Sequence, residues 1–142
     1  MSFIIQRTIR GIQKMQLDRL RRIMKEGSQK FHYDVPVLAA GVAVGFDIHT
    51  QFPRAQKYEP LDVIQIINND VVNISVQLNG AGGDLLIVPS GTIRTATNDE
   101  IGAIQRILIT NNDAAAAVTA GLIDIDIWRA PETLNSIARS EI

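Results

Sequence analysis

The sequence predicts a mainly β protein: an antiparallel β-sandwich or jelly-roll-like barrel with an amphipathic basic helix at its N-terminus and a short helix at its C-terminus. Apolar residues recur at helical spacing through the first thirty residues, and from residue 35 onward the hydrophobic period changes to two. Turn residues separate the later apolar runs, and no helix-length segment lies between them. A parallel α/β sheet is therefore not expected.

Composition limits the classes of protein that the chain can belong to. With 142 residues, 46% of them hydrophobic, it is expected to be globular. The absence of cysteine excludes a disulfide framework and a thiolate metal site. No run approaches the ~20 apolar residues of a membrane-spanning helix, and Phe3–Ile5 is followed at once by Gln6 and Arg7, which is unlike a signal peptide.

Charge divides the chain into two predicted parts. Residues 1–30 contain eight Lys or Arg against two acidic residues, a net charge of +6. Because the whole chain carries −1, the other 112 residues carry −7. We therefore predict an N-terminal helix for anchoring or assembly in residues 1–30 and a β-sandwich domain in residues 31–142.

The N-terminal segment is predicted to be helical from about residue 3 to 26, with Gly27 as its C-terminal stop. One face is apolar and is predicted to bury against a partner, and the opposite face is basic. The apolar stripe consists of Ile5, Ile9, Ile12, Leu20 and Ile23. The basic stripe consists of Arg7, Arg10, Lys14, Arg21 and Lys25.

Several partners could cover the apolar stripe, and the sequence leaves them open. They are the chain's own domain, a symmetry mate, a groove on another protein, an anionic membrane surface and nucleic acid phosphate. Nucleic acid is the weaker of these, because no aromatic residue interrupts the basic run to stack on bases.

The β region is predicted from alternating runs and the turns between them. Residues 37–48 alternate bulky side chains with Gly41, Ala43 and Gly45, which predicts one strand whose bare face either crowds inside the sandwich or forms a subunit contact. The other predicted strands lie at residues 64–68, 74–78, 85–88, 92–95, 104–110 and 123–127. The tripeptide Asn-Asn-Asp ends two of them, at residues 68–70 and 111–113. From Pro131 a short amphipathic helix is predicted.

No catalytic residue, cofactor or metal site is predicted. His32 and His49 lack further ligands at helical or hairpin spacing. Asp124 and Asp126 project from one strand face, where paired carboxylates can bind sugar or calcium but more often form a solvated surface. The Gly-rich segment 80–83 lacks the following Lys-Ser or Lys-Thr of a phosphate loop and is expected to be a hairpin turn.

Four segments of the β region together follow the order of a polar-faced strand, a proline–glycine turn and a closing strand. They are residues 71–79, 86–92, 104–110 and 121–128. In this pattern the chain resembles accessory virion proteins of bacteriophages. The resemblance implies a non-enzymatic protein, present in many copies, that decorates or cements a shell, and it supplies no catalytic residues.

The predicted function is therefore that of a virion structural or accessory protein that self-assembles and attaches through its N-terminal helix. Its expected partners are further copies of itself and other shell proteins, and it is expected in the virion after assembly in the host cytoplasm. The alternatives are a module that docks on membrane or nucleic acid, and a lectin-like sandwich that binds carbohydrate through its acidic strand face.

Overall fold

The N-terminal helix is the first element of the chain. The computed structural model describes residues 2–80 and 82–131, except the side chains of residues 2–12, 98 and 99. Helix α1 spans Ser2–Glu26 and ends as predicted. Gly27 has a φ of +73°, which glycine adopts without strain, and its N–H donates to the carbonyl of Ile23 over 2.7 Å.

Eight strands form two antiparallel sheets, which confirms the predicted class. One sheet has the order β1-β8-β3-β6 and the other β2-β7-β4-β5. This is the strand order of an eight-stranded jelly roll, in which two Greek keys wrap around one core. The strands are β1 (Phe31–Asp34), β2 (Ala43–Asp47), β3 (Val63–Asn68), β4 (Ile74–Leu78), β5 (Leu85–Val88), β6 (Ile93–Ala96), β7 (Arg106–Asn111) and β8 (Ile123–Trp128).

The core lies between the two sheets and is built from strand alternation. In β8, Ile123, Ile125 and Ile127 are fully buried, while the residues between them are partly exposed. The same inward isoleucine and valine pattern recurs in β3, β4 and β7, where β-branched side chains suit a half-buried pleated surface. Among the residues whose side chains are described, the core cluster runs from Phe31 to Ile127. It lies within one compact unit, Gln29–Arg129, whereas α1 belongs to another unit.

Two parts of the predicted strand pattern are wrong. No strand was predicted at Phe31–Asp34, which pairs with β8 as the first strand of its sheet. The strand predicted over residues 37–48 is only Ala43–Asp47. Residues 35–42 form a loop because the chain turns at Gly41, whose φ is +74°; Leu38 forms a single bridge to Val118.

The bare face of β2 points away from the core. Gly45 pairs with Leu108 of β7, and a Cβ added at Gly45 would lie 3.2 Å from the Leu108 side chain. The Leu108 side chain lies over Gly45, so the glycine leaves room for a neighbouring side chain of its own sheet. The subunit contact predicted for this face stays a prediction.

Short helices occupy the connections at one end of the sandwich. They are α2 (Ile48–Gln51), a 3-10 helix (Pro53–Tyr58) and α3 (Asn98–Ile101). Within the described residues, no helix combines the length and hydrophobicity that crossing a membrane requires. The helix predicted from Pro131 onward lies outside the described residues.

Candidate functional site

A histidine and three aspartates meet on the outer face of the first sheet. Strands β1 and β8 pair so that His32 lies opposite Asp126 and Asp34 opposite Asp124. His32 Nδ1 is 2.7 Å from Asp126 Oδ1, and His32 Nε2 is 2.7 Å from Asp34 Oδ1. Asp124 Oδ1 is 3.7 Å from the same Nε2. The sequence indicated Asp124 and Asp126 as a pair on one strand face, but it did not indicate that His32 and Asp34 would lie beside them.

The electrostatics of this cluster favour a protonated imidazole. Hydrogen bonds to Asp126 and then Asp34 raise the pKa of His32 against the opposing effect of burial. The bond to His32 lowers the pKa of Asp34. Burial, followed by its contact with Asp34, raises the pKa of Asp124. With both ring nitrogens facing carboxylates, the histidine is best described as a cation that bridges two strands.

This arrangement limits the chemistry that the cluster can perform. Ligand atoms of His32, Asp34 and Asp124 lie within 4.8 Å of one another, a spacing that could hold a metal ion. A metal at Nε2 would have to displace the proton shared with Asp34. A general base would likewise need a free ring nitrogen, whereas each nitrogen already faces a carboxylate.

The predicted helix stripes are only partly described. Ile23 is buried, whereas Leu20 is 53% exposed. Met15 and Leu17, which the stripe did not include, are also exposed. The basic residues Lys14, Arg21 and Lys25 are exposed, as a solvated or docking face requires. The side chains of Ile5, Ile9, Ile12, Arg7 and Arg10 lie outside the described residues.

A second surface, which we call the apolar end, was not predicted from the sequence. It consists of the four loops at one end of the sandwich: residues 35–42, 69–73, 89–92 and 112–122. These loops contain no Lys, Arg or His and only two acidic residues. Four large apolar side chains are exposed there: Val71 (81%), Val37 (64%), Val42 (45%) and Leu122 (39%).

Buried asparagines hold the apolar end together. Asn111 Nδ2 donates to the carbonyls of Leu38, Ala39 and Ala116, and its Oδ1 accepts from the N–H of Asp113. Asn68 repeats this pattern: its Nδ2 donates to the carbonyls of Val72 and Val88, and its Oδ1 accepts from the N–H of Asp70. The repeated Asn-Asn-Asp tripeptide thus performs the same turn chemistry twice.

Asp70 connects the remaining loops of this end. Asp70 is buried, with 3% of the residue exposed. Its side chain accepts from the N–H groups of Val71 and Thr119, both over 2.7 Å. Its carbonyl accepts from the Ser90 hydroxyl over 2.6 Å. All four loops are therefore joined by hydrogen bonds into one surface.

The opposite end of the sandwich is charged. Asp47 and Arg106 form an ion pair of 2.6 Å, and His49 lies 3.4 Å from Glu59. These four residues line one open cleft. The cleft thus combines an ion pair with a histidine–carboxylate contact, whereas the loops of the apolar end contain no Lys, Arg or His.

Comparison with known proteins gives little. No protein-family model matches the chain, and no curated protein matches it. Among solved structures, the chain is similar to a chain of "The Structure of Tomato Aspermy Virus by X-Ray Crystallography". The identity is 16%, the match covers 76% of this chain and 80% of that chain, and the TM-score is 0.44. An overlap this loose transfers no role to the present chain.

Proposed function

We propose that this protein is a non-enzymatic structural component of a virion, which self-assembles and attaches through its N-terminal helix. The observation that carries the proposal is the difference between the β unit and helix α1. The β unit has its own complete jelly-roll core, while α1 exposes apolar side chains beside cations. α1 belongs to a separate compact unit, and exposed apolar side chains on a helix can dock in a groove of a partner.

The strand order supports the proposal and also limits it. Eight-stranded jelly rolls build viral capsid domains, but also lectins and cupins, so fold alone does not decide function. The His32 cluster favours a structural role over a catalytic one because both ring nitrogens are engaged. Asp124 and Asp126, the residues of the lectin-like alternative, are turned toward that same histidine.

Charge supplies a reason for the helix to find another copy. The first thirty residues carry +6, and residues 31–129 of the β unit carry −6, from five Lys or Arg against eleven Asp or Glu. The helix of one molecule is therefore attracted to the β unit of another. Apolar burial of side chains such as Leu17 and Leu20 would provide most of the affinity, at ~25 cal/mol per Å². Electrostatics would set the orientation and the rate of encounter.

Deletion of residues 1–27 tests the proposal. The truncated protein should remain folded, with a cooperative urea transition, and should sediment as a monomer. The full-length protein should form larger species as its concentration rises. If the truncated protein unfolds, the helix is part of the folding core; if it still assembles like the full-length protein, the helix is not the attachment device.

A charge-reversal pair refines this experiment. The double variant Lys14→Glu/Arg21→Glu should weaken assembly because both side chains are exposed on the helix. The matched control is Arg54→Glu/Lys57→Glu, which makes the same charge change at exposed positions of the β unit. Binding to anionic vesicles or to DNA, with steep loss in salt, would instead support the docking-module alternative.

A further inference from the structure

We infer that the outer face of the first sheet carries a binding site for a divalent transition-metal ion such as Zn²⁺, formed by His32, Asp34 and Asp124. The inference does not rest on the proposed function, because it concerns how strands β1 and β8 are joined and not what the protein attaches to. One ligand atom from each of the three residues lies within 4.8 Å of the other two. An imidazole nitrogen and two carboxylate oxygens are ligands that Zn²⁺ accepts in proteins.

The register of two paired strands fixes these side chains in position. Asp34 of β1 lies directly opposite Asp124 of β8, and His32 lies opposite Asp126. In each strand the two residues are two positions apart, so all four side chains project from one face of the sheet. Ile125, between the two aspartates of β8, is fully buried, which makes the face of the site the outward one. Ligands carried by paired strands need little reordering when an ion binds.

The distances around the Nε2 atom of His32 suit a small cation. Nε2 is 2.7 Å from Asp34 Oδ1 and 3.7 Å from Asp124 Oδ1. Four bonds of about 2.0–2.1 Å in a tetrahedron place neighbouring ligand atoms about 3.3–3.4 Å apart. The two measured distances lie on either side of this value, so small side-chain movements would bring both to it. The side chains of His32 and Asp34 are 48% and 66% exposed, so water can reach the site as a further ligand.

Asp126 orients the histidine for this role. Its Oδ1 lies 2.7 Å from His32 Nδ1, on the side of the ring away from the other two carboxylates. A histidine that binds a metal through one nitrogen commonly donates its other ring N–H to a carboxylate. With Nδ1–H donating to Asp126, Nε2 is the nitrogen that faces Asp34 and Asp124. The ion would take the place of the proton between Nε2 and Asp34, and that proton would leave to solvent.

Charge gives a reason for a cation to bind at this place. Three carboxylates surround one imidazole, and like charges directly opposite each other across a strand pair destabilise it. Burial, and then its contact with Asp34, raises the pKa of Asp124, as expected of a carboxylate that faces another one. The neighbouring strand β3 adds no positive charge, because Gln65 and Ile67 stand opposite Asp126 and Asp124. A divalent cation would balance the excess of negative charge.

The imidazole separates this group from an ordinary acidic surface and selects the kind of ion. Ca²⁺ and Mg²⁺ take oxygen ligands, whereas imidazole nitrogen suits Zn²⁺ and other first-row transition metals. We therefore expect the site to prefer Zn²⁺ to Ca²⁺.

Calorimetric titration of Zn²⁺ into the full-length protein, after a chelator has removed bound metal, tests the inference. Binding should be at least tenfold weaker in the His32→Gln/Asp34→Asn variant. The matched control is His49→Gln/Glu59→Gln, which removes the other histidine–carboxylate contact and should bind Zn²⁺ like the unsubstituted protein. Urea unfolding in the presence of chelator checks that each variant is folded. Absence of Zn²⁺ binding, equal loss in the two double variants, or equal affinity for Ca²⁺ would overturn the inference.

NMR of the imidazole nitrogens identifies the atom that binds the ion. In the His49→Gln variant, which leaves His32 as the single histidine, Zn²⁺ should shift Nε2 while Nδ1 keeps its proton. Adding Asp126→Asn to this variant keeps all three ligands, but it should weaken binding about 10–100-fold and remove the preference for a proton at Nδ1. Zn²⁺ at Nδ1, or no shift of either nitrogen in saturating Zn²⁺, would contradict the site. Unchanged affinity after Asp126→Asn would refute the positioning role of Asp126.

Discussion

Replacement of Asn111 by alanine should lower the stability of the β unit, although the side chain that is removed is polar. The residue is fully buried, and its side chain makes four hydrogen bonds of 2.9–3.3 Å that join three segments of the apolar end. Each such bond contributes about 1 kcal/mol net. Because water can reach part of the loop end, we expect Asn111→Ala to lower the free energy of unfolding by about 2–4 kcal/mol.

Asn111→Asp should be more harmful than Asn111→Ala. An ionised carboxylate accepts hydrogen bonds but donates none, and it would face the same carbonyl oxygens of Leu38, Ala39 and Ala116. The matched control is Asn112→Ala at the next position, which is exposed; its side chain accepts from the Ser75 hydroxyl over 3.5 Å, and its backbone bond to Asn73 is kept in the variant. It should change stability by less than about 0.5 kcal/mol.

Urea unfolding at a fixed protein concentration measures these differences. With a slope of about 2 kcal/mol per M, the midpoint of Asn111→Ala should fall by roughly 1–2 M at constant slope. A midpoint close to that of the unsubstituted protein would refute the buried network. Equal loss of stability in the alanine and aspartate variants would contradict donation from the Asn111 amide nitrogen to these carbonyls.

Two further predictions concern the His32 cluster and a hairpin glycine. The pKa of His32 is raised above 6.5 in the folded state, so its stabilising effect should be complete below pH 6.5 and lost as pH rises through the folded pKa. In the His49→Gln variant, which leaves one histidine, the NMR titration midpoint of the imidazole should lie above 6.5; a midpoint at or below 6.5 contradicts the cluster. Gly83→Ala should destabilise the β4–β5 hairpin by about 1–3 kcal/mol or more, because its Cβ would overlap the carbonyl oxygen of Leu78. Gly45→Ala should cost far less, since its Cβ would meet only the flexible end of Leu108, and equal thermal midpoints of the two variants would contradict this.

The sequence predicted the individual strands better than the contacts between them. The isoleucine alternation in residues 123–127 predicted a strand because side chains of a half-buried strand alternate between core and solvent. The same reasoning was wrong for residues 37–42. Val42 is 45% exposed, although it is one of the bulky side chains that alternate with small ones in the strand predicted there. Loop geometry around Gly41 overrides local alternation there, and local alternation carries no information about where pairing stops.

The candidate sites depend on contacts between distant residues. His32 and Asp126 are 94 positions apart, and only the pairing of the first strand with the last brings them together. One signal was available: two polar residues at i and i+2 in both segments would share a face if the strands paired. The apolar end had no comparable signal, because it is formed by four loops and none of them has a distinctive sequence pattern by itself.

The placement of buried polar groups links fold to function. Among the described residues, four polar residues are buried; Ser75 lies within β4, whereas Asn68, Asp70 and Asn111 lie beneath the apolar end. Buried polar groups add little net stability, but they fix one arrangement of the loops that they join. At the charged end, by contrast, exposed ion pairs such as that between Asp47 and Arg106 hold the surface. Because ordering loops on association weakens binding, the end whose loops are already joined by hydrogen bonds is better suited to contact a partner than an end held by exposed ion pairs.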